Sequence, residues 1–262
     1  MSVIEAPPQI HTVPHSRFVS SPRDVIVYLP PGYHADANRR YPVLYLHDGQ
    51  NLFDPRTSFV GGQYWHAGET ADWLIQTGSV EPLIMVGIYN GGEQRLDEYT
   101  PTPDRRGRGG KADDYGRFLV EELKPWVDAQ YPTLHDPGNT GIGGSSLGGL
   151  VSLYLGLRYS HVFGKLAIFS PSVWWSGSDI VRQVRWLKEK PASRIWLDIG
   201  TDEGRAAHRI VDDAKGLRNA LVRKGWRLNE DLMWCEEAGG KHDENAWARR
   251  VGPMLQYLFP AR

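Results

Sequence analysis

A serine hydroxyl attacks an ester carbonyl only when a base takes its proton, so a nucleophilic serine implies a histidine and an acid to orient it. Gly144-Ser145-Ser146-Leu147-Gly148 has the Gly-x-Ser-x-Gly spacing of a nucleophile elbow. The flanking glycines let a strand turn sharply into a helix without a side chain colliding. Ser146 is the serine that fits, because centring the motif on Ser145 puts Leu147 where the second glycine must be. His242 lies late in the chain, in the Gly-rich stretch Ala238-Gly239-Gly240-Lys241-His242-Asp243. Between serine and histidine, Asp198-Ile199-Gly200-Thr201-Asp202-Glu203 supplies three acids. Asp198 sits within a predicted strand and is the least free to reach out, which leaves Asp202 and Glu203.

The chemistry also needs two N–H donors for the oxyanion. One is Leu147, just after the nucleophile, and the other must come from the loop His47-Asp48-Gly49-Gln50-Asn51, where Gln50 is the nominee. His47 and His66 are expected near the site; His11, His15 and His34 precede the core, His161 follows the elbow helix, and His135 and His208 sit in polar contexts. There is no HExxH pair, and Cys235 is the lone cysteine, so neither a zinc site nor a disulfide framework is expected. The reaction needs no cofactor.

These residues must be carried by strands that end at a common edge. Strands are predicted over 24–29, 41–46, 82–88, 165–169, 194–199 and 228–235, with another just before Gly143. Helices are predicted over 70–75, 113–131 with a kink at Pro125, from the elbow to Leu157, and over 180–188, 205–224 and 244–258. Residues 1–23 read as a proline-containing leader. Strand and helix in alternation, with apolar strands, predict a single α/β domain over 1–262: a mostly parallel central sheet with helices on both faces. The Gly-, Pro- and Arg-rich stretch 90–112 is too long for an ordinary connection and is expected near the site.

Composition narrows the functional classes. With 40% hydrophobic and 23% charged residues and a formal net charge of -1, the 262-residue chain has the balance of a folded domain and no field to attract nucleic acid or an anionic surface. No apolar run reaches the length of a membrane span, and Met1 to Pro8 does not resemble a secretory signal, so a cytoplasmic location is expected. The partners expected are a small-molecule ester and further copies of the chain as a homo-oligomer, with no nucleic acid and no membrane. Ten tryptophans, several beside Gly or Ser, are an unusual number. Tyr64, Trp65, Trp174 and Trp175 are expected to wall the substrate pocket.

With these residues assembled, the chain resembles the putative esterase family of α/β-hydrolases, which includes esterase D, enterochelin-type siderophore esterases and family 1 carbohydrate esterases. The resemblance spans most of the chain. It rests on Tyr45 to Phe53 (YLHDGQNLF), Asp97 to Pro101 (DEYTP), Gly144 to Gly149 and Phe169 to Trp175 (FSPSVWW). It implies the α/β-hydrolase fold, Ser146 as nucleophile, His242 as base, and Gln50 and Leu147 as oxyanion donors. The acid implied is the last residue of a Gly-Thr-x-Asp/Glu pattern, here Glu203; aspartate is common there in relatives, so Asp202 stays an alternative. No counterpart of the extra N-terminal domain of larger enterochelin esterases is found, which leaves specificity to the catalytic loops. The implied function is a serine carboxylic-ester hydrolase, acting on acetyl or feruloyl esters of carbohydrates. The alternatives are a siderophore trilactone esterase and a non-catalytic binding protein of the same fold.

Overall fold

The computed structural model describes residues 8–13 and 15–261. Eight strands form one sheet: β1 (Gln9–Val13), β2 (Arg23–Tyr28), β3 (Val43–His47), β4 (Ile84–Ile88), β5 (Thr140–Ser145), β6 (Lys165–Phe169), β7 (Arg194–Gly200) and β8 (Leu232–Glu237). Their spatial order is β1-β2-β4-β3-β5-β6-β7-β8. The β1–β2 and β2–β4 pairs are antiparallel and all others are parallel, giving the mostly parallel sheet of the α/β-hydrolase fold.

Side chains alternate across a strand, so a sheet covered on both sides needs apolar residues at every position. Most positions of β2, β3, β4 and β6 meet this, and parity sorts them into two cores. Val25, Val27, Val43, Tyr45, Leu166 and Ile168 face one core; Ile26, Tyr28, Leu44, Leu46, Ala167 and Phe169 face the other. The second core is closed by α1 (Ala67–Gln76) and α8 (Glu244–Leu258), through Ala71, Leu74, Trp247, Val251 and Leu255. After the one-turn α2 (Arg95–Glu98), the first is closed by α3 (Ala112–Arg117), α4 (Lys124–Gln130), α5 (Leu147–Arg158), α6 (Asp179–Trp186) and α7 (Ala207–Lys224). Each fully buried Leu, Ile or Phe here contributes about 1.5–3 kcal/mol.

Three differences from the sequence reading have physical causes. The leader contains β1, an edge strand whose side chains are largely exposed and so lack the apolar pattern of the inner strands; Thr12 bonds Asp24 of β2 at 2.6 Å. The helix predicted over 113–131 is broken by a π-helical stretch, Phe118–Leu123, that ends just before Pro125. Proline has no N–H to donate and its ring crowds the carbonyl four residues back, so the preceding turn widens. The last strand starts at Leu232 rather than Leu228, because 227–231 forms a turn with Asn229 in the left-handed region at φ 64°.

Because β3, β5, β6, β7 and β8 are parallel, their C-terminal ends lie along one edge. The loops that follow carry Asp48 to Asn51, Ser146, Ser170 to Trp175, Thr201 to Glu203 and His242. This edge of an open α/β sheet is where such folds bind ligands.

Candidate active site

Ser146 sits between β5 and α5 at φ 59° and ψ −121°, a conformation side-chain-bearing residues rarely adopt. The turn is held by neighbours: Ser146 N–H donates to the Phe169 carbonyl at 3.0 Å, and its own carbonyl accepts from Leu150 and Ser172 N–H. It also depends on close backbone approach, since a Cβ on Gly144 would lie 3.1 Å from both Gly148 and the His47 Cβ. The Ser146 hydroxyl is 3.3 Å from Ser172 Oγ.

His242 follows β8 and directly precedes the cap of α8. Asp243 caps that helix by accepting the Ala246 N–H at 2.8 Å, which fixes where the loop enters it. His242 Nδ1 lies 2.8 Å from Glu203 Oε2, and its ring meets Trp247 edge-on at 5.0 Å. Glu203 is buried, and its other oxygen accepts from the Gly200 N–H at 2.8 Å and the Ser170 hydroxyl at 2.5 Å. Asp202 is exposed, tied by its N–H to the Gly240 carbonyl. Between the two neighbouring acids, the geometry brings Glu203 to the histidine. Asp198 is fully buried beneath, paired with Arg250 at 2.6 Å and accepting from Trp196 Nε1 at 2.7 Å. Burial pushes its carboxyl above the usual range, to about 6, against the pull of Arg250.

Gln50 follows β3, and Leu147 follows Ser146 directly. The N–H of Leu147 is in the first turn of α5, and that of Gln50 is in the first turn of a 3-10 helix over Gly49–Asn51, so neither has a partner within its own helix. Three ties hold the Gln50 loop. Asp48, left-handed at φ 55°, takes a bidentate pair of bonds from Arg95 at 2.7 Å each and a third from Asn90 Nδ2. Asn51 donates to Glu244 Oε1 at 3.1 Å, and the Gln50 carbonyl accepts from Thr57 at 2.7 Å. Gly49 packs on Gly87 of β4 so tightly that a Cβ would lie 2.4 Å from its carbonyl carbon.

Ser146 and His242 are shared by two adjoining cavities. The larger, about 490 Å³, lies toward Gln50 and is bordered by Phe59, Asn90, Arg95, Glu244 and Trp247. The smaller, about 250 Å³, lies toward Pro171, Ser172, Trp174, Glu203 and Ile210. Burial raises the carboxyl of Glu244 above the usual range.

Of the four aromatic residues expected to wall the pocket, the structure places only Trp174 on a cavity, with 47% of its surface exposed. Trp65 is buried against Phe169 and Trp247, and Trp175 is buried with its Nε1–H on the Thr102 carbonyl. Tyr64 borders neither cavity; it donates to Glu69 at 2.7 Å and packs on His66. The Trp-Trp and Tyr-Trp pairs carried no periodicity that separates a wall from a core. His47 lies under the elbow, with Nδ1 2.9 Å from the Tyr115 hydroxyl; burial lowers its pKa to about 3. The stretch 90–112 does reach the site, through Asn90, Gly92 and Arg95. The Asp48–Arg95 pair, Glu244 and Ser170 were not found from the sequence, since none lies in a spacing that signals contact.

Among the described residues, no three His, Cys, Asp or Glu side chains are grouped as metal ligands, and no helix is long and apolar enough to cross a membrane.

The family model described as "Putative esterase" matches residues 16–258. Over 247 residues the chain is 28% identical to the uncharacterized protein YbbA of Bacillus subtilis, covering 90% of this chain and 92% of that one. It is 27% identical over 239 residues to an endo-1,4-beta-xylanase/feruloyl esterase of Xylanibacter ruminicola, covering 89% of this chain and 29% of the larger protein. Ferri-bacillibactin esterase BesA of Bacillus subtilis is 29% identical over 226 residues, with 77% and 73% covered. In fold, the chain is similar to an IroE-like serine hydrolase of Shewanella oneidensis, with a TM-score of 0.77 at 21% identity over 96% of this chain and 80% of that one. The chain belongs to the putative esterase family and is an esterase.

Proposed function

We propose that the chain hydrolyses carboxylic esters through an acyl-Ser146 intermediate, and that its substrates are acetyl or feruloyl esters of carbohydrates. Ser146 Oγ forms a bond to the ester carbonyl carbon while its proton passes to His242 Nε2. The resulting oxyanion takes the N–H groups of Gln50 and Leu147. The C–O bond to the alcohol then breaks, and His242 returns the proton to the departing oxygen. Water enters by the same route and releases the acid from Ser146. Glu203 holds His242 with Nδ1 protonated and stabilises the imidazolium formed in each half-reaction.

The observation that carries this reading is the 2.8 Å contact of His242 Nδ1 with the buried Glu203, beside a cavity that His242 and Ser146 share. The carbohydrate-ester reading draws on the similarity to the feruloyl esterase of Xylanibacter ruminicola and on exposed Trp174 and Phe59 bordering the two cavities, suited to an aromatic acyl group. Similarity to BesA favours a siderophore ester as the second reading. The lone Cys235 fits a reducing compartment such as the cytoplasm.

Comparing kcat/KM on methyl ferulate, acetylated xylan and a ferric catecholate trilactone tests the reading. Preference for either of the first two supports it, and preference for the trilactone moves the assignment to siderophore hydrolysis.

A further inference from the structure

The segment after β6 touches both ends of the catalytic set: Ser172 lies against Ser146, and Ser170 against Glu203. Ser170 is buried and left-handed at φ 40°, a backbone state unfavourable for a serine unless its surroundings hold it there. Its N–H is taken up by Asp198. Its hydroxyl oxygen accepts from Trp247 Nε1 at 3.1 Å and from Arg250 Nη2 at 3.3 Å.

A hydroxyl has two lone pairs and one proton. With both lone pairs facing donors, the proton has one direction left, toward Glu203 Oε1 at 2.5 Å. Arg250 is itself tied on two sides, with Asp198 accepting from Nη1 at 2.6 Å and Glu237 3.1 Å from Nε. The Gly200 N–H is the second donor to the same carboxylate oxygen, which leaves Oε2 for His242.

We propose that Ser170 is a positioning residue: its hydroxyl, oriented by Trp247 and Arg250, locks the Glu203 carboxylate so that Oε2 faces His242 Nδ1. It acts through Glu203 and does not touch the substrate. The proposal rests on the Ser146, His242 and Glu203 reading above.

The test uses Ser170→Gly, which removes the hydroxyl and suits the positive φ, with Ser170→Ala as the second variant. The expected result is a kcat for p-nitrophenyl acetate lower by about 10- to 100-fold with KM within about 3-fold, as for a small misplacement of a reacting group. The low-field proton NMR signal of the His242 Nδ1–H should also shift upfield or be lost to exchange. A kcat within about 2-fold of wild type overturns the proposal, and so does a fall in kcat with that signal unmoved. The two failures are distinguishable by Ser146→Ala and Glu203→Gln. If both abolish or cripple turnover while Ser170→Gly keeps a kcat within about 2-fold of wild type, the positioning role alone is wrong; if Ser146→Ala stays active, the underlying reading falls with it.

Discussion

Glu203 Oε2 stands 2.8 Å from His242 Nδ1 across the gap between the loops after β7 and β8, while Asp202, one residue earlier, has its side chain in solvent. A buried carboxylate stabilises the imidazolium far better than an exposed one, because water does not screen it. Glu203→Gln should lower kcat/KM for p-nitrophenyl acetate by about 100- to 10,000-fold, whereas Asp202→Asn should stay within about 2-fold. Equal losses in steady-state kinetics would return the role to Asp202.

The loop that presents the Gln50 N–H is anchored by the bidentate Asp48–Arg95 pair. Removing one partner leaves the other poorly matched in a partly buried place. Arg95→Ala should cost about 1–3 kcal/mol of stability, read from urea melts, and lower kcat more than it raises KM as the oxyanion donor loses its position. A purely KM effect would assign Arg95 to substrate contact instead.

The two classes of tryptophan should separate by assay. Trp174→Ala should raise KM for methyl ferulate by about 5- to 20-fold, as expected for losing an aromatic contact, and leave the melting temperature nearly unchanged. Trp65→Ala should lower stability by about 3–5 kcal/mol, since it empties a core position. A folded, fully stable Trp65→Ala protein would contradict the core assignment.

His47 gives a signed pH prediction. Its pKa is depressed by burial from the usual 6.5 to about 3, so below pH 6.5 the unfolded chain binds a proton that the folded chain refuses. The stability present above pH 6.5 is therefore lost as pH falls toward 3, at up to about 1.4 kcal/mol per pH unit from this group. Urea denaturation at pH 7, 6 and 5 should show a shallower decline for His47→Gln than for wild type. Parallel declines would mean that other groups carry the acid sensitivity.

What was legible in the sequence follows from how locally each feature is encoded. The inner strands are short apolar runs whose burial on both faces needs no partner to be read, and the Ser146 turn is written in five consecutive residues. The choice of Glu203 over Asp202 is not local: it depends on Ser170, 33 positions away, donating to a Glu203 carboxylate oxygen and on the Gly240 carbonyl holding the Asp202 backbone. The same is true of Arg95, which meets Asp48 from 47 positions away. Trp65 and Trp175 were misread as pocket walls because a tryptophan beside small or polar residues looks the same whether it faces a cavity or a core. The π-helical turn was missed in form but not in place, since Pro125 marks where the regular helix must give way.

The central claim is that Ser146 is the acyl-accepting nucleophile, and the turnover of Ser146→Ala on p-nitrophenyl acetate tests it most directly. The protein should fold as wild type and lose at least about 1,000-fold in kcat/KM, as when the nucleophile of a serine hydrolase is removed. Turnover at the wild-type rate would contradict the account.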